Sequence, residues 1–203
     1  KNNISNQEHC GSCYSFSTTV ALTDMFVKYG YPYLFLNPII PLCCTYNNSE
    51  YGTNSKNGQQ LNNGCGGGLP INIKHFLQKL GTLQDEDYGK VAIWNKKYNH
   101  PQELTPTDYK RCCVLNELNP GKFFAQDNPK NDESCVLYDS NTHDIHKHLT
   151  IQKMKYKIYK HGAIVSKFLV YTDFQIYSHG KSLWDTTNNI YMHNKHNSLY
   201  QEH

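Results

Sequence analysis

Charge is sparse in this chain. Twenty basic and 17 acidic side chains among 203 residues make up 18% of it and leave a net charge of +3. The lysines are scattered and the pI is only about 8.3, so neither a nucleic-acid stripe nor a polybasic membrane patch is expected. Long apolar runs are missing too: no stretch of about 18 apolar residues exists to cross a bilayer. No signal peptide is recognisable. No internal period marks a repeat array, which excludes solenoids and propellers. What remains is a chain long enough to bury a real core, as one large domain or a two-lobed one. It is expected to be soluble, and to be a processed chain or a piece cut from a longer protein.

Cysteine is present in quantity, with eight residues at 10, 13, 43, 44, 65, 112, 113 and 135. So many thiols in a non-repetitive chain point to an oxidising compartment unless a metal holds them. Asn3-Ile4-Ser5 and Asn47-Asn48-Ser49 are glycosylation triplets compatible with a secretory route.

The stretch Gln7-Glu8-His9-Cys10-Gly11-Ser12-Cys13-Tyr14-Ser15-Phe16 places a thiol where a helix must begin. The residues from Ser17 to Tyr29 carry few charges and stop at Gly30, so a buried helix is expected from about Cys13. A thiol there sits among unpaired N–H groups at the positive end of the helix dipole, where a thiolate is stabilised as a nucleophile. Cys10, three residues earlier, could be a redox partner, a metal ligand or a disulfide anchor.

Residues 31 to 45 are apolar but interrupted by Pro32, Pro38 and Pro41, which reads as strands and turns rather than a helix. Thr45 to Gly64 is rich in Asn, Gly, Ser and Gln and reads as an exposed insertion loop. Gly66-Gly67-Gly68 leaves the backbone bare, Pro70 suits a helix start, and Ile73, Phe76, Leu77 and Leu80 recur at helical spacing up to Gly81. Residues 82 to 142 are cut by prolines and predict loops and short strands. Cys112-Cys113 could pair with Cys43-Cys44, and Cys135 has no evident partner. A helix is expected over Ile151 to His161, with Ile151, Met154, Ile158 and Tyr159 on one face and Gly162 as its stop. A strand is expected over Ala163 to Tyr171.

Cys10-Gly11-Ser12-Cys13-Tyr14 fits the C-G-[SA]-C-[WY] signature of papain-like and cathepsin-like cysteine peptidases. The chain resembles that family again at Asn6-Gln7, at Cys65-Gly66-Gly67-Gly68, and at Tyr171-Thr172-Asp173-Phe174 through Tyr177 and Gly180. Ala163 stands where the family's Gly-Pro-Val strand has Pro. Tyr14, where most members have Trp, looks like the cathepsin C (dipeptidyl peptidase I) branch, and the Tyr171 to Gly180 segment resembles cathepsins B and C.

The resemblance implies an α+β, two-lobed fold. A helical lobe over about 1–145 would carry the cysteine on its central helix, and 146–203 would begin an incomplete β-rich lobe. It implies Cys13 as nucleophile, His203 as acid and base, and the Gln7 side chain with the Cys13 N–H as oxyanion donors. It pairs Cys10 with Cys65, makes Gly67 and Gly68 the substrate shelf, and puts Leu69, Pro70 and Ile164 around the second residue before the scissile bond. His203 is the last residue, and neither Trp94 nor Trp184 is preceded by the Asn-Ser of the family's Asn-Ser-Trp-Gly segment. A missing C-terminal segment or separate chain is therefore expected to supply the catalytic Asn. An upstream exclusion domain or propeptide is a second implied partner, beside the peptide or protein substrate.

The activity so implied is release of N-terminal dipeptides, with an endopeptidase or a catalytically silent peptide-binding relative as alternatives. The implied location is an acidic lysosome-like or vacuolar lumen, or outside the cell. No cofactor is expected. Chloride would come only by resemblance to cathepsin C, and Ile71 replaces the Tyr associated with it there. The rival chemistry is a metal site drawing on Cys10-x-x-Cys13, a Cys-Cys pair, and His143, His146 and His148. Adjacent cysteines chelate poorly and no second C-x-x-C is present, so no metal is expected. A thioredoxin-like use of Cys10 and Cys13 lacks the surrounding βαβ pattern.

Overall fold

Helix α1 covers Cys13–Lys28, with Ser12 as N-cap. It ends in a Schellman turn: Gly30 takes φ +88°, its N–H reaches the Val27 carbonyl at 3.0 Å, and the Tyr31 N–H reaches that of Phe26 at 3.1 Å. Only one face is buried, formed by Tyr14, Ser15, Thr19, Leu22 and Thr23. Val20 and Val27 are exposed, so scarcity of charge here does not mean burial all round. The hydroxyls of Ser17, Thr18, Thr19 and Thr23 each donate to the carbonyl four residues earlier, which satisfies them inside the helix. The Ser15 hydroxyl donates to the Pro38 carbonyl at 2.6 Å.

The computed structural model describes residues 7, 10–32, 34–55, 58–84, 105–107, 109–110, 113, 121–125 and 147–166. The chain divides into two compact units, Lys1–Val165 and Ser166–His203, and all the described residues but Ser166 belong to the first.

The proline-rich stretch departs from its expectation, because Ile39–Cys44 is a helix, α2. Pro41 is its third residue, where a backbone N–H would have no acceptor within the helix anyway. The other first-turn donors are met by Asn37, whose Oδ1 accepts from the N–H of Ile39 at 2.8 Å and of Ile40 at 3.1 Å. Ile40, Leu42, Cys43 and Cys44 are buried, and Cys44 is bonded to Cys113.

Residues 45–64 are also more ordered than an insertion loop. They hold an antiparallel hairpin, β1 (Thr53–Ser55) and β2 (Gly58–Gln60), in register Thr53 to Gln60. Tyr51 packs edge-on against Phe76 at 5.4 Å, and Tyr51 and Asn62 are both buried. One aromatic and one amide with three hydrogen bonds anchor a segment that has almost no aliphatic residue to bury.

A 3₁₀ turn at Gly64–Gly66 leads into α3, Pro70–Lys79, which opens on its proline and buries Asn72, Ile73, Phe76 and Leu77 against α1 and α2. Each such fully buried apolar side chain is worth ~1.5–3 kcal/mol relative to exposure. Gly81, at φ +67°, turns the chain beneath Phe123, whose carbonyl would lie 2.6 Å from any Cβ there. β3 (Thr82–Leu83) then pairs antiparallel with β4 (Lys122–Phe123). The Asn37 N–H donates to Leu83 O at 2.9 Å and the Thr82 hydroxyl to Asn37 O at 2.9 Å, so one asparagine joins the start of α2 to this small sheet.

Helix α4, Lys147–His161, begins four residues before the expected start and stops at Gly162, which takes φ +101°. The Lys28 ammonium donates to the Tyr159 carbonyl at 2.5 Å, near the negative end of α4. Of the residues expected on one face, Ile151, Ile158 and Tyr159 are exposed and Met154 is half-buried. Apolar spacing defines a face without supplying what covers it. Residues 163–166 are not in a strand, and the rest of the predicted strand lies outside the described residues. Helices with two small antiparallel sheets make this an α+β fold. Among the described residues no helix is long and apolar enough to cross a membrane.

Candidate active site

Cys13 is the first residue of α1, is exposed and is not in a disulfide. No acidic residue occupies the first turn and Ser12 makes no side-chain cap; its hydroxyl donates to the Cys10 carbonyl at 3.4 Å. The Ser15 and Phe16 N–H groups both take the Ser12 carbonyl, at 2.9 and 3.1 Å. No described residue accepts from the N–H of Cys13 or Tyr14. The positive end of the helix dipole is thus left open beside the sulfur, a setting that favours an anion.

Cys65 is tied at three points. Its sulfur is bonded to Cys10, with Cα atoms 4.6 Å apart, its carbonyl accepts from Gly11 N–H at 2.9 Å, and its own N–H donates to the Tyr109 hydroxyl at 3.3 Å. Gly11 has to be glycine, because a Cβ there would lie 2.7 Å from the Cys65 carbonyl oxygen. With Cys10 bonded to Cys65, the Cys10-x-x-Cys13 pair is neither a dithiol nor a chelate. Cys13 is the member left with a free sulfur.

The glycine run lies next to this junction. Gly67, at φ +103°, has open space where a Cβ would be, and its carbonyl accepts from Asn63 N–H at 2.8 Å. Gly68 is enclosed on its inner side by the Asn62 amide and the Tyr14 ring, while its own N–H and C=O are bonded by no described residue. Leu69 and Pro70, both half-buried, carry the chain into α3. Gln7 is half-buried and its carbonyl accepts from Cys10 N–H at 3.3 Å. Ile164 is half-buried in the segment after α4. His203 lies outside the described residues, as do Trp94, Cys135, Trp184 and the Tyr171 to Gly180 segment.

Three residues support the glycine run, and the sequence reading assigns none of them that role. Asn62 is 1% exposed; its Oδ1 accepts from Leu69 N–H at 2.7 Å and from the Asn72 amide at 3.1 Å, and its Nδ2 donates to Thr45 Oγ1 at 2.9 Å. Tyr14 donates its hydroxyl to the Gly64 carbonyl at 3.0 Å, and Tyr109 stacks on Tyr46 with centroids 4.1 Å apart. Burial is the main reason both phenols are pushed above the ordinary value near 10, more so for Tyr14. Both hydroxyls therefore keep their protons. The one readable signal was Tyr14, next to the cysteine; nothing local in sequence ties Asn62 or Tyr109 to the site.

Residues 1–201 match the papain family cysteine protease. The chain is 28% identical over 191 residues to cathepsin B-like cysteine proteinase 4 of Caenorhabditis elegans, covering 88% of this chain and 51% of that protein. It is 24% identical over 189 residues to cathepsin B-like cysteine proteinase 1 of Ostertagia ostertagi, covering 87% and 49%. A cathepsin L-like proteinase of Fasciola hepatica is 27% identical over 97 residues, 47% of this chain and 26% of that protein. The chain spans about half the length of the cathepsin B-like relatives. A family match running through almost every residue, over an α+β fold with an unbridged cysteine heading a helix, makes this chain a member of the papain family of cysteine proteases.

Proposed function

We propose that Cys13 is the nucleophile of a peptide-bond hydrolase. The observation that carries this reading is an exposed, unbridged thiol at the start of α1, beside a neighbouring cysteine already committed to Cys65. The Cys13 sulfur attacks the scissile carbonyl carbon, and the thiol proton, held on the His203 imidazole, passes to the leaving amine as the C–N bond breaks. Water then attacks the thioester and gives its proton to His203, and the acid leaves as the thiol is restored. The Gln7 side chain and the Cys13 N–H donate to the oxyanion; one such donor is worth ~3–4 kcal/mol of barrier. The substrate backbone pairs with Gly67 and Gly68, of which Gly68 has both polar groups unengaged by any described residue. Leu69, Pro70 and Ile164 line an apolar pocket for the second residue before the cut. A segment or chain beyond His203 supplies the Asn that orients its imidazole.

Within this class we read the enzyme as a dipeptidyl aminopeptidase, on the strength of Tyr14 and the Tyr171 to Gly180 resemblance, with an upstream domain closing the cleft. The cathepsin B-like and cathepsin L-like names of the relatives favour a second reading, a proteinase without the dipeptide restriction. The two disulfides suit an acidic lysosome-like or vacuolar lumen, or secretion.

The test uses the full-length protein, with a dipeptide amide bearing a free amino terminus, the same dipeptide blocked, and Cys13→Ala as control. Cleavage of the free substrate alone, lost in the variant, is the expected result. Cleavage of the blocked substrate makes it an endopeptidase. Absence of Cys13-dependent turnover on either refutes the peptidase reading and leaves a peptide-binding relative.

A further inference from the structure

We infer that Tyr14 and Tyr109 are positioning residues for the substrate shelf, holding the single peptide group between Gly64 and Cys65 by both of its polar ends. The inference rests on the peptidase reading above. The Tyr14 hydroxyl donates to the carbonyl of that peptide at 3.0 Å, and its N–H donates to the Tyr109 hydroxyl at 3.3 Å. Tyr14 directly follows Cys13 in α1, so one side of the clamp is part of the helical turn that presents the sulfur. Tyr109 comes from 44 residues farther along the chain than Cys65 and is braced by its stack on Tyr46, interplanar angle 13°.

The shelf needs holding from outside because its own 3₁₀ turn, with the Gly66 N–H on the Asn63 carbonyl at 2.8 Å and the Gly67 N–H on that of Gly64 at 3.3 Å, is built mostly of glycine. Gly64 and Gly67 take φ +54° and +103°, and glycine has no side chain to restrict the backbone torsions around it. A run of glycines exposes its backbone to a peptide at the cost of fixing its own direction. The Cys10–Cys65 disulfide limits the separation of two Cα atoms but leaves the adjoining peptide planes free to rotate. The peptide before Cys65 accepts from Tyr14 and donates to Tyr109, and the carbonyl after it accepts from Gly11, which fixes both planes. Those planes set the direction in which Gly67 and Gly68 present themselves to substrate. Burial of the Tyr14 phenol keeps its hydroxyl protonated, as donation to the Gly64 carbonyl requires, while the Tyr109 hydroxyl serves as acceptor.

The experiment compares wild type, Tyr109→Phe and Tyr14→Phe in the full-length protein, by three readouts. Amide hydrogen exchange over residues 64–69 reports the clamp without substrate. Turnover of the free dipeptide amide reports use of the shelf, and alkylation of Cys13 by iodoacetamide reports the thiol alone. Each variant is expected to speed exchange about tenfold and to raise KM about tenfold, with kcat and alkylation within about twofold of wild type. Unchanged exchange in both variants overturns the clamp, whatever the activity. Faster exchange with an unchanged KM overturns its role in positioning substrate, and alkylation falling in step with turnover assigns the tyrosines a general structural role instead. A wild type without Cys13-dependent turnover fails the peptidase reading itself. That result is distinct from failure of the clamp, because exchange needs no substrate.

Discussion

Asn62→Ala tests whether the polar network behind the glycine shelf is a structural support or an incidental set of contacts. The asparagine is almost wholly buried and has three side-chain hydrogen bonds, but its partners would not suffer equally. Asn72 keeps its bond to the Gln60 carbonyl at 3.0 Å, and Thr45 Oγ1 keeps its bond to the Pro41 carbonyl at 2.7 Å. Only the Leu69 N–H is left with nothing. One orphaned donor costs ~1–3 kcal/mol and each lost bond between groups that keep another partner ~0.5–1.5 kcal/mol. Leu69 is half-buried, so water relieves part of the first figure. The expected loss is about 3 kcal/mol. With a urea slope of about 2 kcal/mol per molar, the unfolding midpoint of the full-length protein should fall by about 1.5 M at unchanged slope. A fall of less than about 0.5 M, which is ~1 kcal/mol on the same slope, would show that the network contributes little and that the argument from buried amide bonds is wrong.

Gly11→Ala puts a methyl group 2.7 Å from the Cys65 carbonyl, a backbone atom that cannot rotate away. We expect a loss of ~1–3 kcal/mol, read as a lower melting temperature, and an unchanged melt would contradict the tight approach of the two loops. Alkaline pH provides a separate check. The Tyr14 phenol is raised by burial, so its contribution is complete below the ordinary phenol value of 10.0 and is lost as pH climbs above it, because the unfolded chain then releases a proton that the folded one retains. Stability measured from pH 8 to 11 should stay level and then decline, and Tyr14→Phe should make the decline shallower; identical slopes in both proteins would refute this.

What sequence conveyed best was punctuation. Gly30, Gly81 and Gly162 follow their helices at positive φ, and Pro70 opens α3, because these residue types answer local backbone demands. Pro41 misled for a related reason: proline forbids a helix interior but not a first turn, and the residue that settles the matter is the capping Asn37. Residues 45–64 have almost no aliphatic content to mark them as core, but Tyr51 packs on Phe76 and Asn62 bonds to Thr45, Leu69 and Asn72, partners that no local pattern announces. At the site, Cys13 and its helix could be read from a few consecutive residues. Tyr109 could not, since its hydroxyl meets a backbone group 44 positions away and no periodicity encodes that meeting.

Consider finally the inward face of α1, built from Ser15, Thr19 and Thr23 around Tyr14 and Leu22. Thr19 finds its hydrogen-bond partner one turn back in the same helix, whereas Ser15 donates to the Pro38 carbonyl and Thr23, besides donating to the Thr19 carbonyl, accepts from the Leu36 N–H at 3.4 Å. Thr19 could therefore be exchanged for Ser or Ala with no compensating change elsewhere, while Ala at 15 or 23 would remove a bond to the 36–38 segment. Bulk is another matter, since larger side chains would push the helix off its neighbours and carry the sulfur with it. The helix heading the site is accordingly free to change at Thr19, held in composition at Ser15 and Thr23, and constrained in width throughout.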